Sequence, residues 1–162
     1  MNHASDYGLS ADNVSYDFDK VIGRSRGVAD SMSKGVQFLM KKNNIEVISG
    51  YGTLLARKKV KVTSADKVST LSADHIVIAT GARSLELPNL PQDGVKVIGY
   101  REAMTLKSQP KKLIVVGSGA IGIEFAYFYN SMGTEVTVVE YQPLIVPVED
   151  KEIPNPLERS FR

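Results

Sequence analysis

The sequence of 162 residues contains no cysteine and only two histidines. Without cysteine, these residues have no disulfide, no thiol nucleophile and no thiolate ligand for a metal. The two imidazoles, His3 and His75, are far apart in the sequence and do not form a spaced pair of ligands. We therefore expect neither a metal site nor a catalytic residue of these types within the chain.

Long apolar runs are also missing, since no stretch of the sequence approaches the ~18 apolar residues of a membrane-spanning helix. The N-terminal segment MNHASDYGLS lacks the basic and apolar regions of a secretion signal. The net charge of +2 comes from interspersed signs, and Arg57-Lys58-Lys59 is interpreted as a solvated strand edge, which disfavours nucleic acid as a partner. We expect a cytoplasmic protein that binds neither a membrane nor nucleic acid.

The first half of the sequence begins with a predicted helix. Apolar residues recur at helical spacing between Tyr16 and about Asn43, and Ser15 or Asp17 precedes them as a candidate N-cap. Glycines in this stretch each cost about 1 kcal/mol relative to alanine in a helix, so we expect a bend near Ser33–Gly35. The apolar run Phe38–Met40 is predicted to lie in the core.

Strand signals follow this helix. Short runs with strand-like character occur at Ile45–Ile48, Gly50–Leu55, Val60–Thr63 and Lys67–Leu71. Turn residues between them predict a hairpin or small antiparallel meander. The continuous apolar run His75–Ala79 is typical of a strand buried on both faces. Residues 82–94 contain prolines and a glycine and predict a loop, after which Val95–Ile98 suits a short strand.

The pattern G-x-G-x-x-G occurs at Gly117–Gly122, between a predicted strand at Lys112–Val116 and a predicted helix. Gly133 stands where the C-cap of that helix belongs, and the strand TEVTVV follows and ends at Glu140. Strand, glycine motif, helix, strand and acidic residue together predict a dinucleotide-binding βαβ unit. The alternative is that these glycines serve packing alone.

Each part of this motif has a physical role. Gly117 permits a tight turn, Gly119 lets a pyrophosphate approach the backbone, and Gly122 lets the helix pack close to the sheet. The N-terminus of the helix favours phosphate charge, and Glu140 would accept hydrogen bonds from the adenosine ribose. A 2′-phosphate would face that carboxylate with a repulsion of about 4 kcal/mol. No Arg or Lys lies between Tyr141 and Glu149 to offset it, so NAD is favoured over NADP.

Three further stretches carry a resemblance to a known family. They are the run from Gly35 to Gly52, the segment His75–Ala82, and Glu140 followed by Ile145–Asp150. In this order the chain resembles the flavin-dependent pyridine nucleotide–disulfide oxidoreductases, most closely their dihydrolipoamide dehydrogenase branch. The resemblance implies an α/β, Rossmann-like FAD/NAD(P)-binding fold, present in part, with a small antiparallel β-meander. It also implies a middle segment of an FAD domain (1–86), a connector (87–110) and the N-terminal part of an NAD domain (111–162).

The resemblance assigns cofactor contacts to individual residues. FAD of the parent enzyme would be contacted at Gly52, Thr80, Gly81 and Ala82. NAD would be held by Gly117, Ser118, Gly119, Ala120, Ile121, Gly122, Ile123 and Glu124, with Glu124 toward the nicotinamide end and Glu140 on the ribose. Each has a purely structural alternative: Gly52 suits a bulge, Thr80-Gly81 suits a strand end, and Glu124 suits an exposed helix position.

Other parts of the family pattern do not occur in this sequence. The glycine motif that holds the FAD pyrophosphate, the CxxxxC pair and the catalytic His–Glu pair are not found. We therefore expect these residues to be inactive alone. The resemblance implies a parent that is a homodimer serving lipoyl-bearing 2-oxo acid dehydrogenase or glycine cleavage complexes. A non-catalytic NAD-binding module, or part of an NADH oxidase or ferredoxin reductase, is the alternative. Pro154 and Pro156 predict a final helix that starts late or an irregular end.

Overall fold

The computed structural model describes residues 4–10 and 12–161. The chain divides into two units. One unit comprises the described residues within Met1–Arg24 and Ser84–Arg162, and the other comprises Ser25–Arg83. A single 3₁₀ turn, Ala4–Tyr7, precedes the first long helix. None of the helices in the described ranges is long and apolar enough to cross a bilayer.

Helix α1 runs from Phe18 to Lys42, within one or two residues of the predicted bounds. Asp17 caps it, because its Oδ1 accepts the N–H of Lys20 at 3.2 Å, as an N-cap side chain does at the third helical residue. No break occurs near Ser33–Gly35, since the helix is continuous there, and a bend at these residues stays a prediction. The core assignment of Phe38–Met40 is wrong: Phe38 is 65% exposed, and α1 makes no extensive contact with the described strands of its unit.

The predicted meander is confirmed. Strands β1 (Tyr51–Leu55), β2 (Lys59–Thr63) and β3 (Val68–Ser72) form an antiparallel sheet in that order. Lys61 of β2 lies opposite Thr53 on one side and Thr70 on the other. The connection from β1 to β2 places Arg57 and Lys58 at φ values of 60° and 55°, the left-handed region that tight hairpin turns require.

Three predicted strands are wrong. Residues 45–48, 75–79 and 95–98 form no strand. Val77 is 87% exposed rather than buried on both faces, because no described strand pairs with this segment and a lone strand leaves its backbone groups unpaired. In the third segment Oδ1 of Asp93 accepts the N–H groups of Val95, Lys96 and Val97 at 2.8, 2.8 and 2.9 Å. These bonds form a turn and occupy three of the four N–H groups that a strand ladder at 95–98 would use.

The unit that carries the glycine motif is a βαβ arrangement. Strands β4 (Lys112–Val116) and β5 (Glu135–Val139) are parallel, with Ile114 opposite Thr137. Between them lies helix α3 (Ala120–Ser131), after the short helix α2 (Tyr100–Ala103). Helix α4 (Pro154–Phe161) ends the described chain, with Pro154 and Pro156 in its first turn, where proline is tolerated.

The core of this unit lies under α3. Tyr129 is fully buried and Ala126 is 8% exposed. The ring of Tyr129 meets Phe128 edge-on at 5.1 Å between centroids, and its hydroxyl donates to the carbonyl of Ala103 at 2.6 Å. Gly133 closes the helix at φ 89°, with its N–H donated to Asn130 O at 2.9 Å. The helix is therefore anchored by packing in its middle and by a left-handed glycine at its end.

Candidate dinucleotide-binding site

The glycine turn begins where β4 ends. Gly117 has φ 98°, a conformation that favours glycine, and its N–H donates to the carbonyl of Val139 at 2.8 Å. This bond ties the turn to the carboxyl end of β5. The carboxyl ends of β4 and β5 therefore lie next to each other, at the edge of the sheet where ligands bind in open α/β folds.

Gly119 caps α3 in an extended conformation, with φ −63° and ψ 169°. A Cβ built at Gly119 would have no heavy atom within 4 Å, so the backbone here faces open space. The first helical hydrogen bond is donated by Ile123 to Gly119 O at 3.0 Å. The N–H groups of Ala120, Ile121 and Gly122 precede it and have no acceptor within the described residues. An exposed helix N-terminus of this kind attracts anions.

Gly122 stands on the opposite side of the turn and has no such space. A Cβ at Gly122 would collide with the carbonyl oxygen of Gly117 and lie 3.3 Å from Cγ1 of Val115. Because one of these atoms belongs to the backbone, a side chain here would require the helix to move away from the strand. The two glycines thus differ in role. Gly119 leaves open space beside the backbone, and Gly122 allows α3 to pack closely against β4.

Glu140 reaches the glycine turn. Its Oε2 accepts the N–H of Ser118 at 2.8 Å and the hydroxyl of Ser118 at 2.6 Å, and its Oε1 accepts the N–H of Gln142 at 2.8 Å. The Gln142 N–H, followed by the Ser118 hydroxyl and N–H, lowers the pKa of Glu140 from 4.5 to about 2. The carboxylate is therefore ionised at neutral pH, and it stands beside the turn with a full negative charge.

Ser118 is fully buried beneath these groups. Its carbonyl and its hydroxyl accept the N–H of Val146 at 3.0 and 3.2 Å. Val146 is itself buried and has φ 43°, an unusual conformation for a β-branched residue. The segment after Glu140 is thus fastened to the second residue of the glycine motif.

The remaining predicted NAD contacts lie along the first turn of α3. Ile121 is 58% exposed, Ile123 is partly exposed and Glu124 is exposed. In the described part of the chain, the Glu124 side chain forms no hydrogen bond, so its predicted role toward the nicotinamide stays a prediction. The turn, the helix N-terminus and Glu140 are the parts that the fold brings together.

The predicted FAD contacts belong to the unit Ser25–Arg83, and their contact with FAD stays a prediction. Gly52 lies in β1 opposite Val62, and a Cβ there would make an ordinary contact of 3.6 Å with Val60. Thr80, Gly81 and Ala82 are exposed in an irregular segment, with Gly81 at φ 77°. Within this unit, no hydrogen bond among the described residues joins Gly52 to that segment.

The sequence did not reveal the roles of three residues, two in this site and one in the meander of the other unit. Gln142 and Val146 support Glu140 and Ser118, but a backbone N–H donor carries no sequence signal. Gly50 is the glycine that the meander requires, since a Cβ there would lie 2.7 Å from Cγ1 of Val62 and 2.9 Å from Thr63 O. The sequence predicts Gly50 at the start of a strand, whereas the observed strand begins one residue later, at Tyr51. Of the two histidines, His75 is exposed, and His3 lies outside the described residues.

Comparison with known proteins decides the family. A family model described as pyridine nucleotide-disulphide oxidoreductase matches residues 3–162. The chain belongs to this family. The prediction of its membership is confirmed, as is the α/β fold with a three-stranded antiparallel sheet.

Relatives within the family are similar to nearly the whole chain. Dihydrolipoyl dehydrogenase of Zymomonas mobilis is 45% identical over 163 residues, which cover 100% of this chain and 35% of the relative. The enzyme of the same name from Rhizobium etli is 46% identical, with 94% and 35% covered. The chain therefore spans about a third of the length of the relatives that it matches.

Solved structures of the family agree with the fold. LpdA from Mycobacterium tuberculosis superposes with a TM-score of 0.85 at 31% identity, covering 99% of this chain and 36% of that chain. The HOCl-induced flavoprotein disulfide reductase RclA from Escherichia coli, solved as a Cu(II) complex, gives a TM-score of 0.73 at 25% identity, covering 99% of this chain and 35% of that one. The family fold is thus shared along almost all of the chain.

Proposed function

We propose that this chain is the NAD-binding central segment of a dihydrolipoyl dehydrogenase-type flavoprotein. The ionised Glu140 carboxylate at the mouth of the glycine turn carries the proposal. Its Oε1 accepts one N–H, from Gln142 at 2.8 Å, so the carboxylate keeps acceptor capacity beyond what the turn itself uses. The similarity to dihydrolipoyl dehydrogenases supports the choice of parent enzyme.

The residues present fit the ADP half of NAD. The pyrophosphate would approach Gly119, where a Cβ would meet nothing within 4 Å, and would accept from the free N–H groups at the start of α3. A hydroxyl of the adenosine ribose would donate a hydrogen bond to the Glu140 carboxylate. A 2′-phosphate in that place would face a carboxylate whose low pKa prevents relief by protonation near neutral pH. Bound NAD+ supplies a hydride acceptor, and these residues bind and orient it.

The FAD assignment rests on the family, with two supporting features in the unit Ser25–Arg83. We propose that Gly52 and the segment Thr80–Ala82 contact FAD in the whole protein. Gly52 has room for a Cβ at 3.6 Å from Val60, so packing does not explain the glycine, and a close ligand does. The exposed turn at Gly81 is the second supporting feature.

The activity of the whole protein is likewise a proposal: oxidation of dihydrolipoamide with reduction of NAD+, by a cytoplasmic homodimer that serves lipoyl-bearing complexes. Dithiol exchange needs cysteines, and this chain contains none. We therefore expect no dihydrolipoamide turnover by these residues alone. The second candidate, a non-catalytic NAD-binding module, is favoured by that same lack of cysteine. Flavin content of the protein purified from its native host separates the two.

Calorimetric titration with NAD+ and NADP+ tests the binding proposal. Wild type binds NAD+ more tightly than NADP+, and Glu140→Ala weakens NAD+ binding about 10- to 100-fold, as expected for loss of a charged hydrogen bond. Glu140→Gln removes the charge and keeps a hydrogen-bond acceptor, so it reduces the preference of the site for NAD+ over NADP+. Glu135→Ala is the matched control, because Glu135 lies at the other end of β5 and pairs only with Lys112 at 3.0 Å.

Two results would overturn the proposal. One is wild type with no measurable affinity for NAD+. The other is equal affinity for NAD+ in the Glu140→Ala and Glu135→Ala variants, with circular dichroism showing that both are folded.

A further inference from the structure

Ser118 is predicted to contact the cofactor directly, but its side chain contacts Glu140 instead. It is fully buried, so no ligand reaches its hydroxyl without displacing protein atoms. A serine hydroxyl has one proton to donate, and here that proton is donated to Oε2 of Glu140 at 2.6 Å. The hydroxyl oxygen accepts from Val146 N–H at 3.2 Å. Its hydrogen bonds are therefore made within the protein.

The Glu140 carboxylate is correspondingly constrained. A carboxylate oxygen accepts about two hydrogen bonds. Both positions of Oε2 are taken, by the N–H and the hydroxyl of Ser118, while Oε1 accepts a single N–H from the described residues, that of Gln142. In the described part of the chain, Glu140 forms no ion pair. One acceptor position on Oε1 thus remains for a ligand, on a group held at both oxygens.

We propose that Ser118 is a positioning residue that sets nucleotide selectivity through Glu140. The inference deepens the proposed NAD site and rests on it. Two donors from one residue fix Oε2, so the carboxylate cannot rotate away from a 2′-phosphate or turn both oxygens toward a ribose. The fixed group accepts one hydroxyl and repels a phosphate. Without the hydroxyl of Ser118, the backbone N–H alone holds Oε2, and the carboxylate gains freedom to adapt to either nucleotide.

The test uses Ser118→Ala, which removes the hydroxyl and leaves the backbone donor in place. Ser118→Thr restores a hydroxyl and serves as the conservative rescue. The matched control is Ser64→Ala, which also removes a serine hydroxyl with a defined acceptor, Lys67 O at 3.1 Å, in the other unit. All variants are made in the 162-residue chain and checked for folding by circular dichroism.

Two readouts separate positioning from a merely structural role. In the absence of nucleotide, the carboxyl ¹³C signal of Glu140 is followed during acid titration, and its midpoint rises in Ser118→Ala but not in Ser64→Ala. The ratio of the NADP+ to the NAD+ dissociation constant then falls about 3- to 10-fold in Ser118→Ala, the effect of one hydrogen bond. Ser118→Thr recovers both values.

The outcomes distinguish this inference from the proposed function. If wild type binds NAD+ selectively but Ser118→Ala keeps either the wild-type midpoint or the wild-type ratio, the positioning role is wrong and the NAD site stands. If wild type binds neither nucleotide, the proposed function fails, and the selectivity role fails with it.

Discussion

Substitution of Gly122 by alanine tests the contact between α3 and the sheet. The new Cβ would overlap the carbonyl oxygen of Gly117 and press on Cγ1 of Val115 at 3.3 Å. A backbone atom cannot rotate aside, so the first turn of the helix must shift outward. Overpacking of this kind costs about 1–3 kcal/mol. At about 2–4 °C per kcal/mol for a domain of this size, the melting temperature should fall by about 2–12 °C.

Gly119→Ala is the control within the same motif. Gly119 has φ −63°, which alanine adopts freely, and a Cβ there has no heavy atom within 4 Å. We expect the free energy of unfolding to change by less than about 1 kcal/mol, the cost of an unfavourable N-cap residue. NAD+ binding should nevertheless be lost, because the added methyl group occupies the path of the pyrophosphate to the backbone.

The two variants are compared by urea denaturation followed by circular dichroism and by NAD+ titration of the same samples. We expect the two variants to differ in which property is lost. Gly122→Ala is less stable than wild type, while Gly119→Ala is as stable as wild type but does not bind NAD+. A Gly122→Ala variant as stable as wild type would refute the packing argument. A Gly119→Ala variant that binds NAD+ with unchanged affinity would refute the proposed approach of the pyrophosphate to the backbone at Gly119.

Two further predictions concern Glu140 and Tyr129. The lowered pKa of Glu140, about 2 against an ordinary 4.5, stabilises the fold above pH 4.5, and this contribution is lost as the pH falls toward 2. The difference in urea midpoint between wild type and Glu140→Gln should therefore shrink between pH 6 and pH 3, and a constant difference contradicts the assignment. Tyr129→Phe removes the 2.6 Å bond to Ala103 O and should cost about 1–3 kcal/mol. Tyr127→Phe, at a residue that is 64% exposed, should change the free energy of unfolding by less than about 0.5 kcal/mol, and equal losses in the two variants contradict the account.

Predictions from the sequence succeeded where the contacts are local. The βαβ unit from Lys112 to Glu140 has short connections, and each of its elements meets the next one along the chain. The cap at Asp17 and the closing glycine at Gly133 are decided by bonds over three or four residues. Glu140 reaches Ser118 across 22 residues because β4 and β5 pair in parallel, and the binding roles of these residues stay predictions.

Predictions failed where a segment depends on distant partners. The apolar pattern of His75–Ala79 predicts burial, but burial in a parallel sheet needs strands on both sides, and the described residues supply none. The same reason applies to the exposed Phe38 on α1. The roles of Gln142 and Val146 could not be predicted, because they act through backbone N–H groups whose direction only the folded loop determines.

The most direct test of the central claim is an amide chemical-shift map of the ¹⁵N-labelled chain titrated with ADP-ribose. This ligand lacks the nicotinamide and therefore reports on the glycine turn and Glu140 alone. We expect saturable shifts concentrated at Gly119–Gly122 and around Glu140, with none for the 2′-phosphorylated ligand at the same concentration. Shifts confined to other parts of the chain, or equal responses to both ligands, would contradict the central claim.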